Sequence, residues 1–215
     1  MGKIVLSILV IFLPVVSMEQ NSKLVRLWAG IDVPETIESK RLVHHRLQRE
    51  MKLHVPDFKA EEKPHLTLIF FGETLEDEIE KINNSLSKAV VSSKIYGGPN
   101  IKVTFENKLI LFGTAIALKV KENVQLNALR KDLANQLQKE DIPFENKFEF
   151  NPHVTLGRSK IITAKEMEQL PIDVNPTTDE CNQFDVTHII LYKSKDGQYI
   201  PEQMYLLKPQ VYYVD

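Results

Sequence analysis

One short pattern occurs twice in the chain, as Pro64-His65-Leu66-Thr67-Leu68 and again as Pro152-His153-Val154-Thr155-Leu156. Each copy alternates polar and apolar residues, the period of a β-strand, in which successive side chains point to opposite faces. His65 and Thr67 therefore share one face, as do His153 and Thr155. Leu66, Leu68, Val154 and Leu156 fall on the other face, against a core. At this chain's own residue frequencies such a match arises by chance in about one chain in a thousand. The fold must therefore accommodate two half-buried strands, each presenting an imidazole and a hydroxyl on one side.

Histidine is the side chain whose ordinary pKa, roughly 6.5, lets it act as acid or base near neutral pH. Two that face each other can divide those roles. A neutral imidazole takes a proton from an attacking water or hydroxyl, a protonated one delivers a proton to a leaving oxygen, and two threonine hydroxyls hydrogen-bond the charged oxygens between them. Such an arrangement suits in-line displacement at phosphorus. His44, His45, His54 and His188 lack this paired context and read as structural or solvated residues.

The two motifs, HLTL and HVTL, resemble the His-hydrophobic-Thr-hydrophobic signature of the two-histidine phosphoesterase superfamily, and within it the bacterial and archaeal RNA 2′,3′-cyclic phosphodiesterases, also called 2′-5′ RNA ligases. Further features fall in register with it. Arg26-Leu27-Trp28-Ala29-Gly30-Ile31-Asp32-Val33-Pro34 resembles the opening strand, Phe71-Gly72 the exit from the first motif, and Phe150-Asn151-Pro152 and Leu156-Gly157-Arg158 the flanks of the second. Leu191-Tyr192-Lys193-Ser194 with Gly197 and Tyr199 resembles the last hairpin, so the likeness spans residues 24–207.

The resemblance implies a bilobal α+β fold, with two similar antiparallel sheets, each backed by helices, facing across a central cleft. It implies hydrolysis of 2′,3′-cyclic phosphate ends to 2′-phosphates, with His65 as proton donor to the leaving 3′ oxygen and His153 as proton acceptor. Thr67, Thr155 and Arg158 would hold the phosphate. The symmetric motifs alone do not divide the two roles. Ligation or cleavage of 2′-5′ linked oligonucleotides by the same histidines is a second reading, and a nucleotide-binding module without turnover a third. Two histidines are too few for a typical zinc site, and no HExxH motif, Gly-rich phosphate loop or GxSxG elbow occurs. The expected chemistry uses neither metal nor cofactor.

Charge is nearly balanced, 27 basic against 29 acidic residues, so no global basic field points to long nucleic acid. A strand end, a short oligonucleotide or a nucleotide carrying a cyclic phosphate needs only a local pocket. Lys147, Arg158 and Lys160 lie near the second motif to supply one. No stable protein partner is implied, and the expected state is a monomer. Cys181 is the only cysteine, which excludes an intramolecular disulfide and a cysteine zinc site.

Residues 1–20 carry Lys3, an apolar run from Ile4 to Val16 and a small-residue end, the pattern of a secretory signal or anchor. An over-long gene model is the alternative, since Met18 stands just before the first family-like strand. Export or membrane tethering follows from the first reading and a cytoplasmic protein from the second. Residues 21–215 are expected to form one bilobal domain.

The spacing predicts a strand over 24–33, a helix over 34–53 and a loop to the first motif. Thr74 is expected to cap a helix over 75–91. Strands at 101–105, 109–112 and 114–120 are expected to be joined by tight turns at 106–108 and Gly113. A helix follows at 123–139, then the second motif strand over 147–156, a polar loop over 171–180, and a hairpin of 181–192 with 198–207 around Asp196-Gly197. Phe71, Phe150 and Tyr192 are aromatic candidates for stacking on a base, with core packing the simpler reading for each alone.

Overall fold

The computed structural model describes residues 23–34, 45–175, 182–195 and 198–208. The signal-like segment, His44, Cys181, the Asp196-Gly197 turn and the first part of the expected 34–53 helix lie outside the described residues.

The fold is α+β, with nine antiparallel strands and four helices among the described residues. The strands are β1 (Leu24–Asp32), β2 (Lys59–Ala60), β3 (His65–Leu75), β4 (Ile101–Phe112), β5 (Ala115–Val120), β6 (His153–Arg158), β7 (Gln183–Val186), β8 (His188–Lys195) and β9 (Gln198–Leu206). The helices are α1 (Gln48–His54), α2 (Ile79–Ser92), α3 (Val124–Lys139) and α4 (Ala164–Glu168). Among the described residues no helix is long and apolar enough to cross a membrane.

The strand order is β7-β4-β5-β6-β3-β1-β8-β9, with β2 added to β6. The two expected sheets are thus halves of one sheet, joined edge to edge where the motif strands β3 and β6 meet. That joint is a single pair, Leu66 with Val154. Beyond it each motif strand bonds elsewhere. Glu61 N–H donates to the Leu156 carbonyl at 2.8 Å, and Glu145 N–H donates to the Phe70 carbonyl, also at 2.8 Å. Each half therefore lends the segment leading into its own motif strand to the edge of the other motif strand.

The alternation in the motifs produces the expected division of faces. Leu66, Leu68, Val154 and Leu156 are buried in the main core. The apolar stripes of α2 (Ile82, Leu86, Ala89, Val90) and α3 (Leu126, Leu129, Leu133, Leu137) join the same core. Asn123 caps α3 by accepting from the Leu126 N–H, as its position before the apolar stripe suggests.

Several local expectations are corrected. Thr74 does not cap a helix: β3 runs on to Leu75, a short 3₁₀ turn at Glu76–Glu78 follows, and α2 begins at Ile79. Residues 106–108 form no turn. They are an irregularity between the paired residues Phe105 and Leu109 within the single strand β4, while Gly113, at φ 55°, makes the real turn into β5. The motif strand begins at His153, not at residue 147. Thr187 divides the expected 181–192 strand into β7, which pairs with β4, and β8, which pairs with β1 and β9. Helix α4, unforeseen, is closed by a capping box in which Thr163 and Glu166 bond each other's backbone N–H.

Gly157 marks a very close approach of two strands. A Cβ there would stand 2.4 Å from both the Lys59 carbonyl oxygen and the Phe58 ring. β2 lies this close because Gln48, buried, donates its amide to both the Glu61 and Leu156 carbonyls at 2.7 Å. Asp57 tightens the strap further, accepting from Ser159 Oγ and from the Lys160 N–H at 2.7 Å. Gly157→Ala is expected to lower stability by about 1–3 kcal/mol, read as a lower urea midpoint with an unchanged slope.

Candidate active site

Antiparallel pairing of Leu66 with Val154 sets His65 across from Thr155 and Thr67 across from His153. By the strand period all four side chains stand on the face away from the core. The two histidines occupy diagonal corners of this square and the two threonines the others. All four line one cavity of about 610 Å³. Arg158, at the end of β6, lines it as well, so the structure brings together all five residues singled out in the sequence.

Each imidazole is held the same way. His65 Nδ1 lies 2.8 Å from the Lys63 carbonyl oxygen, and His153 Nδ1 lies 2.8 Å from the Asn151 carbonyl oxygen. A carbonyl only accepts, so each Nδ1 carries the proton and each Nε2 is left to exchange one. Burial is the main influence on both rings and pulls both pKa values below the ordinary histidine value. The backbone bonds oppose this in each case, and for His65 the Asp32 carboxylate opposes it too.

The surroundings are less symmetric than the motifs. Trp28 stacks on His65 at 3.9 Å between centroids and 22° between planes, and Tyr192 stacks on the far side of Trp28 at 4.5 Å. Tyr199 meets His65 edge-on at 5.2 Å and 87°. Behind this pile Asp32, the β1 partner of His65, accepts a 2.6 Å hydrogen bond from the Tyr192 hydroxyl. Among the described residues His153 has only Phe112 as an aromatic neighbour, tilted at 4.6 Å.

Glu61, Tyr199, Arg26 and Trp28 also line the cavity, and the sequence reading assigned none of them to the site. Burial raises the Glu61 carboxyl pKa, against the opposing effects of the Tyr199 hydrogen bond and the Arg158 charge. The Tyr199 phenol is pushed up to about 12 by burial and by Glu61. The tripeptide Lys59-Ala60-Glu61 carried no motif; only its pairing with β6 delivers Glu61 here.

Of the aromatic candidates, Tyr192 is buried beneath Trp28 and Phe71 packs against the core, so neither reaches the cavity. Phe150 lines a neighbouring cavity. Lys147 and Lys160 line neither of these two cavities. His54 faces Glu50 at 3.9 Å and His188 faces the Thr187 hydroxyl at 2.9 Å, away from the site. Among the described residues no three His, Cys, Asp or Glu side chains gather as metal ligands.

Two His-x-Thr strands, joined in one sheet and opening their polar faces into one cavity, define a two-histidine phosphoesterase. Residues 34–198 match the model of the 2′-5′ RNA ligase superfamily, and the chain belongs to that family. It is 28% identical over 176 residues to the RNA 2′,3′-cyclic phosphodiesterase of Methanocaldococcus jannaschii, covering 79% of this chain and 91% of that one. It is 30% identical over 155 residues to the enzyme of the same name from Thermotoga maritima, covering 70% and 78% respectively. In fold it is similar to E. coli LigT solved with 3′-AMP, with a TM-score of 0.62 at 21% identity over 86% of this chain and 98% of that one. It is also similar to TT0787 of Thermus thermophilus, with a TM-score of 0.61 at 19% identity over 85% and 97%.

The lowered histidine pKa values have a consequence for folding. Between the ordinary value of 6.5 and the depressed folded values, the unfolded chain binds more protons, so stability falls as pH falls through that window. The double variant His65→Gln/His153→Gln is expected to lose less stability than wild type between about pH 7.5 and 5.5, measured by thermal unfolding. Equal losses in the two proteins would contradict the shifts.

Proposed function

We propose that this chain hydrolyses 2′,3′-cyclic phosphates at RNA ends or on nucleotides, leaving 2′-phosphates. The observation that carries the reading is the square of two imidazoles and two threonines on one cavity, each imidazole with its Nδ1 already bonded and its Nε2 unspent. The names of the two curated relatives support the same chemistry.

In this reading the cyclic phosphate lies between the diagonal histidines. Water enters beside His153, whose Nε2 takes its proton as the oxygen bonds to phosphorus. On the opposite side the bond from phosphorus to the 3′ oxygen breaks, and His65 Nε2 supplies the proton that makes it a hydroxyl. Thr67 and Thr155 donate to the non-bridging oxygens, and Arg158 offsets the developing charge. Water adds across one P–O bond, no electron changes hands, and the two histidines end with their protonation states exchanged. With the 5′-hydroxyl of a second strand in place of water, the same step run without hydrolysis forms a 2′-5′ linkage, the reaction for which the matched family is named.

Asp32 supports giving the acid role to His65. Its carboxylate favours the protonated ring, and nothing comparable is among the influences on His153. Asp32 acts through its charge on His65 and is a positioning residue.

Four outcomes test the reading. Replacing either histidine with alanine should lower turnover of a cyclic-phosphate dinucleotide at least about 10²-fold, with the product's 2′-phosphate read by phosphorus NMR; wild-type turnover in both variants would refute it. The pH profile of kcat/KM should be bell-shaped with its centre on the acidic side of 6.5, because burial lowers both free-enzyme pKa values. The kcat profile should sit at higher pH, since the bound anion favours both imidazolium forms. Asp32→Asn should move only the alkaline limb, toward lower pH; movement of the acidic limb instead would exchange the two roles.

A further inference from the structure

Beside the histidine cavity lies a second, of about 730 Å³, and Thr67, Phe70 and His153 line both. The reaction above makes no use of its remaining walls. These come from Leu68 of β3, Phe112 at the end of β4, Arg130 of α3, and Glu145 with residues 148–151 before β6. Phe148 is 80% exposed and Phe112 40% exposed, a heavy aromatic presence for a protein surface. Arg130 sits over the rings of Phe144 and Phe150, at 5.9 and 5.8 Å from their centroids, and its Nε is buried without a hydrogen-bond partner among the described residues.

Two hydrogen bonds tie down the start of the segment before β6. Glu145 anchors its segment through the bond to the Phe70 carbonyl and accepts the Lys147 N–H at 3.0 Å. Glu149 stands exposed at the rim. The cavity thus combines phenyl rings, one guanidinium and two carboxylates, and it runs directly into the square of histidines and threonines.

We propose that this second cavity holds the nucleobase of the nucleotide whose phosphate lies between His65 and His153, and that guanine is the base it fits best. The proposal rests on reading the first cavity as the phosphate site. A planar base stacks on phenyl faces whatever its identity, which provides affinity. Identity comes from the polar groups. The guanidinium fork matches the adjacent acceptors O6 and N7 of guanine, and a carboxylate, able only to accept, matches guanine's N1–H and 2-amino donors. Adenine lacks the paired acceptors, and uracil lacks the paired donors.

The test is calorimetric titration of the full chain with guanosine 2′-monophosphate, uridine 2′-monophosphate and inorganic phosphate. Wild type is expected to bind the guanosine nucleotide about tenfold tighter than the uridine one. Phe148→Ala, which removes a ring that carries little of the fold, should weaken the guanosine nucleotide about tenfold and leave inorganic phosphate unchanged. Arg130→Gln should bring the guanosine-to-uridine ratio toward one. Equal wild-type affinity for the two nucleotides, no measurable nucleotide binding, or unchanged guanosine affinity in Phe148→Ala would overturn the subsite. Binding requires no turnover, so the two readings separate: base-dependent binding without hydrolysis sinks the reaction and leaves the subsite, and hydrolysis without base dependence does the reverse.

Discussion

The backbone bridge between Leu66 and Val154 is the joint on which the molecule depends. It converts two half-sheets, β7-β4-β5-β6 and β3-β1-β8-β9, into one, and its register sets each histidine across from the other motif's threonine. A slip of one residue would turn Leu66 or Val154 toward the cavity and a histidine toward the core. One bridge is little to fix a register, and the neighbouring backbone does the rest. The Glu61 to Leu156 and Glu145 to Phe70 bonds occupy the edges that a slipped strand would need. The buried Gln48 amide, bonded to both Glu61 and Leu156, ties the first of these in place.

On this near-symmetric frame the side chains impose a direction. Both histidines spend Nδ1 on a carbonyl two residues back, so tautomer and ring orientation are the same in each. What differs is the layer behind them. His65 has Trp28, then Tyr192, with Asp32 anchoring the pile through the tyrosine hydroxyl, whereas among the described residues His153 has a single phenyl ring. Within a low-dielectric stack a carboxylate favours the imidazolium far more than it would in water. The difference between two equivalent motifs therefore resides in β1 and β8, strands that carry no motif of their own.

Much of this was legible in the chain. The repeated pentapeptide gave both motif strands and the face each presents, because alternation is a property of the strand alone. Apolar stripes and Asn123 gave α3 nearly to its ends. Failures occurred where a longer-range partner decided the outcome. Residues 106–108 have the composition of a turn, yet pairing with β5 on both sides carries them through as an irregularity in β4. Thr187 looks like an ordinary strand residue, and only the different partners of β7 and β8 make it a break. Glu61, Tyr199 and Trp28 reach the site from segments with no chemical signature, and Tyr192, which looked available for stacking on a ligand, is consumed in supporting His65.

Burial governs the charge of the two rings. Both imidazoles are depressed by desolvation, and His65 is depressed further by the charges of His153 and Arg158, while the Asp32 carboxylate works in the opposite sense. In the proposed reaction a phosphate between the rings opposes this depression, since its negative charge stabilises an imidazolium at either corner. On that proposal the ligand helps create the acid that acts on it. The Asp32 carboxylate, which favours protonated His65 and is not among the influences on His153, is what the proposed reaction uses to place the acid at His65. The proposed division into a donor side and an acceptor side thus rests on β1 and needs no change in either motif.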